Sequence, residues 1–473
     1  MPSLEQKYME IRTHIGDLSN KQGSTVTIMG WVNSRRDQGK MIFLDLRDAS
    51  GIIQGVILPK SEAIETGKIL RPEFVVEVNG KVNARPEKDQ KTDVLNGTIE
   101  LEIVSITILN ESEVLPFPID GDTREVNETI RLQYRYLDLR NSRMQKNVAK
   151  RFKIQNFIRN FLEQEKFLEI ETPLLSAPTL EGARSYVVPS RVWKGNFFSL
   201  PQSPQQYKQL LMVAGFEKYF QFARCLRDED TRGDRQPEFT QLDLEMSFVS
   251  EEDVMALNEK LLIGIVEKLY PEKKIQQIPF PRMTYKEAME EYGTDRPDIR
   301  KDKNDQNLLA FLWIVDFPMF EKTSEENIDA TGEWTFTHNP FSKPKDEYFD
   351  AFMAKKNIGK ILSTQYDITL NGLEIGGGSI RNHKPSALHK TFEIMGYSTE
   401  RTEKNFGHMI KALEFGAPPH GGIAWGFDRL VMILENEPNI REVIPFAKTG
   451  DSRDLMMEAP GEISDKQKEE LGI

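Results

Sequence analysis

The sequence predicts an α+β protein: a small five-stranded β-barrel at the N-terminus, then a larger domain with an antiparallel sheet flanked by helices. Two observations carry this. Up to about residue 110 the chain reads as five short runs of β-branched and alternating apolar residues, with one helical run between the third and the fourth. Beyond that point helical periodicity mixes with antiparallel-looking strand runs. No βαβ alternation is visible, which argues against a doubly wound parallel sheet.

The five strand-like runs are residues 24–32, 41–47, 51–58, 73–82 and 97–109, and the helical run is 60–69. This order suits an OB-type barrel, a fold that holds single-stranded nucleic acid or oligosaccharide on one face. On pattern alone an unrelated small β-domain fits equally well. Residues 110–127 contain Pro, Asp and Glu without periodicity and read as a linker; a basic helical stretch follows over 128–165. The expected organisation is a barrel over 1–109, a linker or hinge over 110–140, a main domain over 141–445 and a C-terminal extension over 446–473.

With 473 residues, 38% hydrophobic and 29% charged, the chain can bury a large core, and its length suggests two to four domains. No apolar run approaches the roughly 20 residues of a membrane span, and no basic, then apolar leader is visible. The single cysteine, Cys225, cannot form an internal disulfide and suits a reducing cytoplasm. The histidines show no zinc-ligand spacing. A net charge of −12 argues weakly against nucleic-acid binding, but it does not exclude local basic patches.

Three segments carry chemistry. Residues 227–241 (RDEDTRGDRQPEFTQ) lie between two strand-like runs. A solvated hairpin tip would look similar, but Arg227, Arg232 and Arg235 alternate with carboxylates and are followed by Phe239. Arginines suit phosphate recognition, and an aromatic can stack on a base. Residues 421–434 (GGIAWGFDRLVMIL) lead from glycines into an apolar helix with Arg429 near the junction; alone they read as core packing. Residues 166–175 (KFLEIETPLL) read alone as an ordinary helix-to-strand junction.

Together, in order and spacing, these segments resemble motifs 1, 2 and 3 of class II aminoacyl-tRNA synthetases. Motif 1 centres on Pro173, motif 2 on Arg227 and Glu229, and motif 3 on Arg429. Further runs narrow the resemblance to bacterial-type aspartyl-tRNA synthetases of subclass IIb: 31–37 (WVNSRRD), 181–184 (EGAR), 200–205 (LPQSPQ), 236–241 (QPEFTQ), 376–379 (GGGS) and 426–429 (GFDR). They extend over almost the whole chain.

The resemblance implies ATP-dependent attachment of L-aspartate to tRNA(Asp) through an aspartyl-adenylate, with tRNA(Asn) left open as a second acceptor. It also implies a homodimer formed through motif 1 at Pro173. It puts Lys208 and Arg381 on the side-chain carboxylate of aspartate. Glu181, Gln205, Arg227, Asp243 and His338 surround the substrate, with Glu181 on a loop that closes over it. A neutral asparagine would then leave two cations without an anionic partner, which is costly in a buried site.

For ATP the resemblance places Arg227 on the α-phosphate, Arg429 on the γ-phosphate and Phe239 against adenine. Asp228, Glu229, Gln236, Glu374, Gly426, Phe427 and Asp428 lie around the nucleotide, and Arg227, Glu229 and Arg429 form the catalytic set. Asp367 and Glu374 would hold Mg²⁺, an oxygen-preferring cation. The glycines at 376–378 would let backbone approach the substrate. In the barrel, Phe43 would stack on an anticodon base, unless it is barrel core. Gln54 and Glu100 would meet base edges, and Arg36 and Arg85 phosphates or bases. Gln38 stands where Leu or His separates enzymes that charge one tRNA from those that charge two.

Three departures accompany the resemblance. The large domain that bacterial members insert after the segment matching 292–300 is missing near 301–310. The second of two adjacent pocket histidines is Asn339, and Gln38 fits neither tRNA class. Asparaginyl- or lysyl-tRNA synthetase activity fits Lys208 and Arg381 poorly. The rival from another class is a catalytically inactive paralogue acting as an RNA-binding or regulatory module.

Overall fold

A computed structural model describes residues 12–177, 184–324 and 331–473; Glu181 lies outside them. They form two compact units that divide between Thr123 and Arg124.

The first unit holds β1 (Thr25–Gln38), β2 (Met41–Asp48), β3 (Gly51–Ile57), α1 (Ile64–Ile69), β4 (Val75–Ala84) and β5 (Ile99–Asn110). The strands close into a barrel in the order β1-β2-β3-β5-β4, with β4 paired back onto β1. Alternation decides what faces inward. On β2, Ile42, Leu44 and Leu46 point into the barrel with Val26, Ile28, Val78 and Leu101. Strand β1 runs six residues past Val32, with a bulge between Val32 and Ser34. The extension, Asn33 to Gln38, is polar and carries no apolar alternation, so only its pairing with β2 marks it as strand.

The second unit is built on one eight-stranded sheet. Its strands are β6 (Leu168–Glu169), β7 (Lys218–Leu226), β8 (Glu238–Ser247), β9 (Arg282–Thr284), β10 (Phe311–Val315), β11 (Gln365–Leu370), β12 (Leu373–Ile380) and β13 (His420–Gly426). The order is β9-β10-β11-β12-β13-β8-β7-β6. All pairs are antiparallel except the two at the edges, β9 with β10 and β6 with β7. Helices α2 (Ser142–Gln164), α3 (Gln205–Val213), α4 (Glu251–Leu269), α5 (Pro385–Ile394), α6 (Thr399–Glu414) and α7 (Phe427–Leu434) accompany it.

Helix α4 starts at a reciprocal capping box between Ser250 and Asp253. Its Val254, Leu261, Leu262 and Ile265 join Ile154, Ile158 and Leu162 of α2 in the same core as Leu242, Leu244, Ile423 and Trp425 of the sheet. Each such side chain contributes about 1.5–3 kcal/mol by leaving water. This packing holds the central strands rigid. Strand β8 is buried from Thr240 to Ser247, although it carries Asp243 and Glu245.

Candidate active site

A cavity of about 240 Å³ is lined by the loop between β7 and β8, by β8, β12 and β13, and by the start of α7. Three arginines line it, Arg227, Arg235 and Arg429, and two of them are held by contacts with the wall. Arg227 donates from Nε to the Gln202 carbonyl at 3.4 Å, and its guanidinium lies 5.2 Å from the centroid of the Phe239 ring. Arg429 donates to Asp234 at 3.1 Å and to the Glu374 carbonyl, while its Nε is buried without a hydrogen-bond partner. Glu229 lies opposite Arg235 at 3.9 Å. Two fixed guanidinium groups, one of them over an aromatic ring, suit a ligand that joins phosphates to a planar base.

Three residues expected around the nucleotide are otherwise engaged. Both carboxylate oxygens of Asp428 are used: one accepts from Arg151, the other from the Thr240 amide at 2.8 Å. Phe427 is fully buried, packed edge-on against Phe222 at 5.2 Å, and does not line the cavity. Gln236 lines it, but its side chain bonds the main chain of Lys448 at both ends. Gly426 is in the wall, and Asp228 donates its amide to the Arg184 carbonyl.

Along one face of β8, Gln241, Asp243 and Glu245 follow each other at the strand's two-residue period. Gln241 lines the cavity. Two residues further, Asp243 accepts from Lys208 at 2.6 Å, and its other oxygen is buried with no partner. At the end of the row, Glu245 pairs with Arg381 through two bonds of 2.9 and 3.1 Å and lies 3.4 Å from the Lys208 ammonium. Arg381 also donates to Ser379 Oγ at 2.8 Å. Burial opposes the charge on Glu245, but Arg381 and Lys208 outweigh it and hold its pKa below the usual carboxylate value.

The expectation that a neutral asparagine would leave Lys208 and Arg381 without an anionic partner is therefore corrected, since Asp243 and Glu245 already pair with them. Sequence reasoning missed Glu245. Its signal was two carboxylates spaced by two in the otherwise apolar run LDLEM, which places both on one face of a buried strand. The backbone is shaped to admit it: a Cβ at Gly422 would lie 2.2 Å from Glu245 Oε2.

Asp367 on β11 is buried and accepts from Gln365 at 2.7 Å. Burial, and then the charge of Glu374, push its pKa well above the ordinary range. A buried carboxyl with the charge of a second carboxylate beside it suits an oxygen-preferring cation between the two. Of the glycines at 376–378, Gly376 lines the cavity; a Cβ at Gly378 would lie 2.1 Å from the Gly422 carbonyl of the neighbouring strand, and one at Gly377 would lie 2.5 Å from Asp367 Oδ1. His338 packs edge-on to Phe317 at 4.7 Å, and burial lowers its pKa, so it is neutral at pH 7. Its Nε2 has no partner. Asn339 caps its own turn, accepting from the Phe341 amide at 3.0 Å. Gln205 opens α3 and donates to Gln209 at 3.2 Å.

Comparison with known proteins fits this geometry. Residues 127–450 match the family described as class II tRNA synthetases (D, K and N), and residues 26–109 match the OB-fold nucleic acid binding domain. The chain is 38% identical to the aspartate–tRNA(Asp/Asn) ligase of Caldanaerobacter subterraneus subsp. tengcongensis, with 98% of each chain covered. It is 37% identical to the aspartate–tRNA ligase of Staphylococcus carnosus, over 95% of this chain and 97% of that one.

The chain belongs to the aspartate–tRNA ligase family. The fold is shared with a putative aspartyl-tRNA synthetase from Leishmania major Friedlin (TM-score 0.73, 20% identity, 94% and 98% of the two chains). It is also shared with an asparaginyl-tRNA synthetase from Pyrococcus horikoshii complexed with asparaginyl-adenylate (TM-score 0.72, 22% identity, 93% and 97%). The alignment to the first ligase spans 589 positions against 473 residues here, so that relative carries a segment this family member lacks.

The barrel of this aspartate–tRNA ligase family member presents a second candidate surface. Phe43 is half-buried on the outer face, which settles its alternative placement: it is not barrel core. Register puts Arg36 beside Phe43, and Gln54 beside Asp45 on the next strand. Arg36 donates to Asp45 at 3.1 Å. Glu100 is on the outer face of β5, and Arg85 donates to the Ile99 carbonyl at 2.9 Å. Gln38 is exposed at the end of β1, beside the two-residue turn Gly39-Lys40.

Proposed function

We propose that this protein activates L-aspartate with Mg-ATP and transfers it to tRNA(Asp). The observation that carries this is the row Gln241–Asp243–Glu245. On one face of one strand, it leads from an arginine-lined cavity to the two buried cations Lys208 and Arg381. In this reading ATP lies in the cavity with adenine against Phe239. Arg227 meets the α-phosphate and Arg429 the γ-phosphate, with Glu229, Asp228, Gln236 and Gly426 around them. Aspartate lies over Asp243, whose unpartnered oxygen receives the ammonium, while Lys208 and Arg381 take the side-chain carboxylate. Gln205, His338 and Glu181 complete the pocket.

The α-carboxylate oxygen attacks the α-phosphorus in line, forming aspartyl-adenylate and releasing pyrophosphate. Arg227 and Arg429 neutralise charge that spreads over the phosphate oxygens, and fixed geometry supplies the rest. Asp367 and Glu374 would hold Mg²⁺, which would supply further neutralisation of phosphate charge. A ribose hydroxyl at the tRNA 3′ end then attacks the adenylate carbonyl and releases AMP.

The barrel reads the anticodon, with Phe43 stacking on a base and Arg36, Gln38, Gln54, Arg85 and Glu100 around it. The names of several relatives bring in tRNA(Asn) as a second acceptor. A second copy of the chain pairs through Pro173, beside which Leu168, Leu174 and Leu175 are each about half exposed. Among the described residues no helix is long and apolar enough to cross a membrane; we place the enzyme in the cytoplasm. The relatives' additional segment belongs at 301–310, where this chain makes turns and the two-residue strand Leu308–Leu309.

Amino-acid-dependent exchange of pyrophosphate into ATP tests the first step. Aspartate, and not asparagine, is expected to drive it. Folded protein that binds tRNA but catalyses no exchange would overturn the reading in favour of an inactive paralogue.

A further inference from the structure

We propose that residues 448–450 form a strap that positions the arginine-bearing loop 228–235, with Gln236 and Thr231 as its fastenings. Gln236 borders the cavity. Its side-chain carbonyl accepts from the Lys448 amide at 2.7 Å, and its side-chain amide donates to the Lys448 carbonyl at 3.1 Å. One side chain thus reproduces the pair of bonds that a neighbouring strand would make. Thr231 donates its hydroxyl to the Gly450 carbonyl. A third tie lies alongside: the Ile440 amide donates to the Gly233 carbonyl at 3.0 Å, and Ile440 itself lines the cavity. The strap is stiffened from within, because Thr449 donates its amide to the Arg453 carbonyl at 2.8 Å and Lys448 Nζ pairs with Asp454 at 2.9 Å.

The loop needs such help. Asp228, Glu229, Asp230, Arg232, Gly233 and Arg235 are exposed, and none has an apolar side chain to anchor the loop in the core. Its charges would otherwise be ordered only when nucleotide arrives, and ordering backbone on binding weakens affinity. Fastened at Thr231, Gly233 and Gln236, the loop presents Glu229, Asp234 and Arg235 to the cavity before ATP enters. Gln236 and Thr231 are therefore positioning residues that act through the main chain of the strap. This rests on the cavity being the ATP site, as proposed above.

The test compares Thr231→Val, Thr231→Ser and Lys448→Pro with the unaltered full-length protein. Val removes the hydroxyl donor, Ser keeps it, and Pro removes the amide that Gln236 accepts from. Mg-ATP binding is measured by titration calorimetry, and the KM for ATP and for aspartate by pyrophosphate exchange. The expected result is a weakening of ATP binding by about fivefold in Thr231→Val, the scale of one hydrogen bond, with more in Lys448→Pro. The KM for aspartate is unchanged, and Thr231→Ser restores ATP binding. Three results would overturn the strap: ATP binding in Thr231→Val equal to that of the unaltered protein, equal weakening in the Ser and Val variants, or a parallel rise in both KM values. Intact ATP binding without exchange in the unaltered protein would instead count against the proposed function, and the calorimetric comparison would still decide the strap.

Discussion

Lys208, Arg381, Asp243 and Glu245 share the interior beside the cavity, and their mutual pairing is what lets four charges stay buried there. Removing one member leaves its partner's charge unpaired, which costs about 3–5 kcal/mol. Glu245→Gln is therefore expected to lower thermal stability strongly at pH 7. The pH dependence follows from the sign of the shift. Glu245 has a folded pKa below its ordinary 4.5, so its contribution is fully present above that value and is lost as pH falls through the folded pKa. The gap in melting temperature between Glu245→Gln and the unaltered protein should close as pH drops below about 4.5. A gap that stays constant down to pH 3 would show that the charge is not what stabilises. At this scale the sequence was legible where a residue sits in a distinctive run, as with Arg227, Phe239 and Arg429. It was opaque where a residue's role comes from a distant partner: Gln236 meets Lys448, and Glu245 meets Arg381, only after folding.

Strands β11, β12 and β13 show how an element can serve sheet and site with different faces of one glycine run. At Gly378 an added methyl would press on the backbone carbonyl of the neighbouring strand, whereas at Gly377 it would press on the Asp367 carboxylate. Gly378→Ala is expected to destabilise the protein by about 1–3 kcal/mol, as overpacking does. Gly377→Ala is expected to leave the melting temperature nearly unchanged while raising the Mg²⁺ concentration needed for half-maximal exchange. Equal loss of stability in the two variants would contradict the distinction. The barrel strands were legible from their apolar alternation to within a few residues. The polar end of β1 and the three-residue edge strand β9 were not, because pairing rather than pattern defines them, whereas β6 falls in the helix-to-strand junction read at 166–175.

Over the whole molecule, a body with a net charge of −12 must meet a polyanion through local surfaces. The outer face of the barrel offers Phe43 beside Arg36, and the second unit holds the cavity. The two steps should therefore separate by unit. Phe43→Ala is expected to raise the KM for tRNA about tenfold, the scale of one base stack, with pyrophosphate exchange unaffected; a loss of exchange would contradict that division. The order of the two folds was legible from the switch between two-residue and helical periodicity. That the relative carries additional residues leaves no mark in this chain's own pattern, and the expectation of a gap near 301–310 came only from the family resemblance.

The most direct test is charging of purified tRNA(Asp) and tRNA(Asn) by the full-length protein with labelled aspartate and Mg-ATP. Aspartate ester formed on tRNA(Asp) is the predicted result, and product on tRNA(Asn) as well would mark an enzyme that reads both anticodons. Folded protein that charges neither tRNA would contradict the account.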